Sequence, residues 1–157
     1  MRKSAIWLVA ILFSGNVQAA GTGALIDGTD VESVINVARD YGSATYGTQQ
    51  SGAPKIIART DGINYVGFFQ NCTESRVCDD LNLYAGFLGI KPTLEQINAW
   101  NASKRFGRAY IDPDGDAAVE MDINLKNGIS PANLSASFAI WRLLLGQFVA
   151  YVEPRVP

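Results

Sequence analysis

Three groups of residues in this chain have side chains and spacing that could do chemistry. Asp112, Asp114 and Asp116 alternate like the opening ligands of a calcium loop. Gly115 precedes the third carboxylate, however, and the closing position of such a loop falls on Ile123 where a bidentate Glu is needed. A solvated hairpin turn accounts for the same residues, so no metal ligand is assigned. Glu120 and Asp122 could form the carboxylate pair of a hydrolase acting on glycosides. They alternate with Val119, Met121 and Ile123, the period of a strand with one wet face, and cross-strand salt bridging is the simpler expectation. Trp100, Asn101, Arg105 and Tyr110 could build a small-ligand pocket from an indole platform, an amide, a cation and a phenol. That reading needs an exposed Trp100. A core indole followed by helix-ending asparagines explains the same stretch.

The chain has no histidine. Ser-His-Asp and Cys-His triads, His-ligated zinc and most acid/base designs near neutral pH are thereby removed. We assign no catalytic residue, no metal and no cofactor, and expect a protein that is not an enzyme. Of 157 residues, 48% are hydrophobic and 18% charged, which supplies the core of one packed domain.

Arg2 and Lys3, the apolar run 5–13, and Val17 and Ala19 at the small-residue positions form the pattern of a secretory signal peptide. We expect residues 1–19 to be removed and the product to be periplasmic, or alternatively secreted. A nine-residue apolar run is short of the ~20 residues a membrane span requires, so no stable membrane insertion is expected after cleavage. Losing Arg2 and Lys3 leaves 11 basic against 15 acidic residues, a net charge of −4. That balance, with no basic cluster longer than Lys104-Arg105, argues against nucleic acid as a partner. In an oxidising compartment Cys72 and Cys78 are expected to form a structural disulfide, since C-x5-C is neither a redox C-x-x-C nor a complete zinc site.

The elements that must position these residues follow from periodicity and punctuation. Residues 20–28 read as a flexible lead-in and 29–157 as a single domain. Thr29 with Glu32 predicts a capping box, with Val31, Val34, Ile35 and Ala38 on the buried face of a first helix. Strands are expected over 45–48, 55–60, 63–70 and 81–87, with Asp61-Gly62 as a hairpin turn and the cysteines between the last two. Thr93 and Gln96 predict a second capping box, with Leu94, Ile97 and Trp100 on one helical face. Residues 105–111 and 117–125 form a second hairpin; if 112 and 117 close it, Gly107 lies opposite Asp122, Arg105 diagonally beside it, and Phe106 and Tyr110 on the apolar face. Ser130 and Pro131 open a last helix that can run to about 152. The order α-β(3-4)-α-β-β-α, with tight turns and no crossovers, is α+β with an antiparallel sheet packed by helices.

The stretch 97–116, with Asn98-Ala-Trp-Asn, Arg105-Phe-Gly-Arg-Ala-Tyr and Asp112-Pro-Asp-Gly-Asp, followed by Val119-Glu-Met-Asp-Ile-Asn-Leu, resembles the YbjN family of bacterial proteins. The resemblance covers most of the chain after the leader. It implies a fold similar to type III secretion chaperones and a role as a sensory transduction regulator, and it implies no catalytic residues.

The last helix carries the clearest functional signal. Leu134, Phe138, Trp141, Leu145, Phe148 and Val152 make a stripe that must pack on the sheet. Ile140, Leu144 and Tyr151 extend apolar character beyond it, so the helix is either buried on two sides or meets another chain. The leading expectation is therefore an exported adaptor that contacts an unknown protein partner or itself. A periplasmic small-ligand sensor and a carboxylate hydrolase are the alternatives.

Overall fold

The computed structural model describes residues 23–74 and 76–153; the expected leader, residues 1–19, lies outside them. The first helix, α1 (Val31–Arg39), is capped by Asp30, whose side chain accepts from the Ser33 N–H. Thr29 is not the cap: its hydroxyl and its N–H both donate to Asp27, which orders the approach to the helix. Val34, Ile35 and Ala38 are buried as the spacing demands. The described part of the lead-in, residues 23–28, is tied down at one point: Ile26 pairs with Ile129 in an antiparallel bridge and joins the core.

Six strands follow: β1 (Ser43–Thr48), β2 (Pro54–Thr60), β3 (Ile63–Thr73), β4 (Val77–Phe87), β5 (Arg108–Ile111) and β6 (Ala117–Asn124). They form one antiparallel sheet in the order β1-β2-β3-β4-β6-β5. Thr60 faces Ile63 across the Asp61-Gly62 turn, where both residues have positive φ, as a two-residue hairpin loop requires. The strands around the cysteines run longer than their apolar cores suggested, and Cys72 and Cys78 sit inside them as a cross-strand pair joined by a disulfide.

The second helix, α2 (Leu94–Ser103), has the Thr93–Gln96 capping box complete, and buries Ile97 and Trp100. Leu94 is 71% exposed, since it lies in the first turn ahead of the packed part of the helix. The third, α3 (Pro131–Val152), starts at Ser130 with Pro131 in the first turn. Its stripe from Leu134 to Phe148 is fully buried, with Trp141 edge-on to Tyr65 and Phe148 edge-on to both Trp100 and Phe87. Trp100 and Trp141 bury their indole N–H groups without an acceptor, a cost their large apolar contact must offset.

The second hairpin differs from its expected register by one residue. Ile111, not Asp112, pairs with Ala117, which places Arg108 opposite Glu120. The Asp112 N–H donates to the Asp116 carbonyl, and Gly115 takes φ +82°, so Pro113, Asp114 and Gly115 form a three-residue loop. Phe106, at φ +71°, interrupts the chain before β5 and is 65% exposed. It does not join the apolar face, and neither does Tyr110, which the shifted register puts on the helix-free face beside Arg108.

Candidate protein-docking surface on the last helix

The proposed pocket around Trp100 is taken apart by the packing. Trp100 is fully buried, and so cannot serve as a stacking platform. Asn101 spends its amide on the backbone of β5: its Nδ2 donates to the Ala109 carbonyl at 3.0 Å and its Oδ1 accepts from the Ala109 N–H at 2.9 Å. The side chain thus mimics a neighbouring strand at Ala109, on that edge of the sheet. Tyr110 lies on the helix-free face, where burial and the adjacent Glu120 push its hydroxyl up to about 12. Arg105 is exposed on the α3 side, with Phe106 beneath its guanidinium.

The carboxylates are likewise engaged. Glu120 is paired with Arg108 across β5 and β6, and Asp122 accepts from Asn82 of β4 at 2.8 Å. Asp112 accepts from the N–H groups of Asp114 and Asp116 within its own loop. Asp116 is 4% exposed; the Lys91 ammonium at 2.8 Å, with the Gly89 N–H, holds its carboxyl below the usual carboxylate range. These groups act as fasteners between strands and loops.

What remains open is the outer side of α3. Over about three turns Ala139, Leu143, Gly146 and Ala150 recur at spacings of four and three, on the side of α3 away from the buried stripe. Leu143, 62% exposed, and the half-buried Gln147 stand between two depressions and line both. The first, about 530 Å³, is lined by Tyr41, Ala139, Leu143, Gly146 and Ala150, with Asp61 and Arg142 at its rim. Arg142 is the helix's single charge and is neutralised by Asp61 through two hydrogen bonds of 2.6 and 2.9 Å; this pairing also lowers the Asp61 pKa. The second, about 250 Å³, is lined by Arg105, Phe106, Ile140, Leu143 and Leu144, with Lys104 at its edge.

The structure therefore brings three of the sequence-selected residues, Arg105, Ile140 and Leu144, to one groove, though Leu144 lies at its floor, only 5% exposed. Tyr151 stands apart: its hydroxyl donates to the Gln96 carbonyl and its ring packs on Trp100, so it fastens α2 to α3. Leu143 and Phe106 were missed. Leu143 falls off both helical stripes, and a large apolar residue on the outer side among Ala139, Gly146 and Ala150 was the signal that could have found it.

A model of the YbjN family, described as "Putative bacterial sensory transduction regulator", matches residues 30–154. The chain belongs to the YbjN family. No curated protein matches the sequence significantly. Among solved structures, the chain is similar to the Yersinia pestis type III secretion chaperone SycH, solved in complex with a stable fragment of YscM2. Identity is 15%, with 78% of this chain and 98% of that chain covered and a TM-score of 0.47. α3 has the length and composition of a membrane span, yet one side of it forms the core over the sheet.

Proposed function

We propose that this YbjN protein is an exported, non-enzymatic adaptor of the bacterial envelope, acting in regulation by holding an apolar helix of a partner protein along the outer side of α3. The observation that carries the reading is Leu143, exposed between two apolar depressions on a helix whose only charge is already paired. Helix-in-groove recognition uses such a surface, with anchors at helical spacing. Lys104 and Arg105 flank it, and among the described residues neither has a carboxylate partner. Charge complementarity then selects a helix with acidic residues beside its apolar face. Export is supported by the leader pattern and by the Cys72–Cys78 disulfide, which suits an oxidising compartment.

The test uses two labelled amphipathic peptides of equal helicity, one flanked by Glu and one by Lys, in fluorescence anisotropy with the purified protein. The Glu peptide binds and the Lys peptide does not; Leu143→Glu abolishes binding, and Arg105→Glu reverses the preference. Light scattering reads self-association in the same samples. A concentration-dependent dimer that excludes the peptide, or binding indifferent to Leu143, overturns the proposal.

A further inference from the structure

The two edges of the sheet are treated differently. β5 lies beside α2 and has both backbone groups of Ala109 taken by the Asn101 amide, whereas β1, with α1 packed beside it, pairs among the described residues with β2 as its one neighbouring strand and has the Ala44 carbonyl as its one side-chain-bonded outward group. Natural sheets protect an open edge with charge, proline or a bulge, because its free N–H and C=O groups template another strand. β1 reads Ser-Ala-Thr-Tyr-Gly-Thr, with no charge and no proline.

The register identifies which groups are free. Thr60 and Ile63 close the β2–β3 hairpin as a bonded pair, so Lys55, Ile57 and Arg59 direct their peptide groups to β1 and meet Gly47, Thr45 and Ser43. Those of Ala44, Tyr46 and Thr48 therefore point outward. The Ala44 carbonyl is taken by the Arg39 Nε at 3.1 Å. Tyr46 and Thr48 remain, beside a depression of about 530 Å³ lined by Val31, Tyr46, Thr48, Pro54 and Arg76. Tyr46 is 57% exposed, and among the described residues Arg76 has no ion pair.

We infer that the β1 edge takes up an extended segment of a partner protein as a seventh strand, with a carboxylate of that segment meeting Arg76. Backbone pairing at Tyr46 and Thr48 supplies the register, and alternate side chains of the incoming strand enter the depression between Val31, Tyr46 and Pro54. Arg76 selects acidic over basic segments. The site shares no residue with the α3 groove, so either can fail without the other.

The probe is a pair of labelled peptides of alternating Thr and Val, identical except for one Glu or one Lys, titrated into the purified protein. The Glu peptide binds at least about tenfold more tightly, as a charge-assisted hydrogen bond provides. Hydrogen exchange slows at the Tyr46 and Thr48 amides on binding. Arg76→Glu, a change in an exposed turn, reverses the preference between the two peptides. Tyr46→Pro removes an outward N–H and prevents binding of both, with retention of the fold checked by its thermal transition. Unchanged exchange at Tyr46 and Thr48, or equal affinity for both peptides, overturns the inference. Protection of those amides by raised protein concentration alone also overturns it, by showing that a second copy takes the edge.

Discussion

Replacing Asn101 tests whether one side chain closes an edge of the sheet. Its amide makes two hydrogen bonds to Ala109, which is 2% exposed, so Asn101→Ala leaves a buried donor and a buried acceptor together. Each bond contributes about 1 kcal/mol net, and leaving its partner dry raises the cost, so the change destabilises by about 2–4 kcal/mol. For a domain of this size that lowers Tm by about 10 °C. Asn101→Asp is the sharper variant. Its carboxylate still accepts from the Ala109 N–H but turns a second oxygen toward the Ala109 carbonyl, which favours the protonated form and raises the folded pKa above the unfolded value of about 3.9. The folded state then binds more protons than the unfolded one, so the deficit relative to the native protein is full at neutral pH and shrinks as pH falls through the raised value. Urea unfolding followed by indole fluorescence, from pH 7 to pH 3, reads both effects. A cost under about 0.5 kcal/mol for Asn101→Ala, or a deficit for Asn101→Asp that ignores pH, would refute the edge-clamp reasoning.

Three further outcomes follow from the geometry. Asp116 has a depressed pKa through Lys91 and the Gly89 N–H, so its contribution is present above the ordinary aspartate value and is lost as pH falls through the lowered one; Asp116→Asn flattens the acid limb of the stability curve. Opening the Cys72–Cys78 bridge by double substitution to Ser costs about 2 kcal/mol for so short a loop, measured by chemical unfolding; thiol labelling of the denatured, unreduced native protein finds no free Cys. Gly28→Ala places a Cβ 1.8 Å from the Cys78 carbonyl oxygen, a backbone atom that no rotamer can move, and lowers stability by about 1–3 kcal/mol, read as a lowered thermal transition.

The elements whose signals are local were legible in the sequence. The Thr93–Gln96 box, the Asp61-Gly62 turn and the Ser130-Pro131 start each depend on a few adjacent residues, and the structure uses each of them. The stripe of α3 was legible because a core helix repeats its demand at every turn. Features set by tertiary contact were not. One local competition was misjudged as well: Asp30 and not Thr29 caps α1, because Asp27, two residues earlier, captures the threonine hydroxyl. Asn101 read as a helix-ending residue, and its amide pairing with Ala109 depends on how α2 and β5 meet. Of the candidate surface, Arg105 and Ile140 were found from sequence, while Leu143 was not, since its exposure is decided by which residues α3 turns toward the sheet.

A single step of register decides which arginine is paired within the chain. With Asp112 closing the hairpin, Arg105 lies beside Asp122 and is drawn to a carboxylate of its own chain. The three-residue loop pairs Ile111 with Ala117 instead, and Arg108 then meets Glu120 while Asp122 is satisfied by Asn82. Strand alternation sends Arg108 and Tyr110 to the helix-free face. Phe106, in its left-handed conformation, turns the chain back before β5, and Gly107 lets Leu144 approach where a Cβ would stand 2.1 Å from its Cδ2. Arg105 is thereby left on the α3 side, against Phe106 and without a carboxylate among the described residues. The ion pair that locks the hairpin and the arginine that borders the groove are two consequences of the same loop. A change in loop length between Asp112 and Asp116 therefore alters the groove beside α3 as well as the sheet.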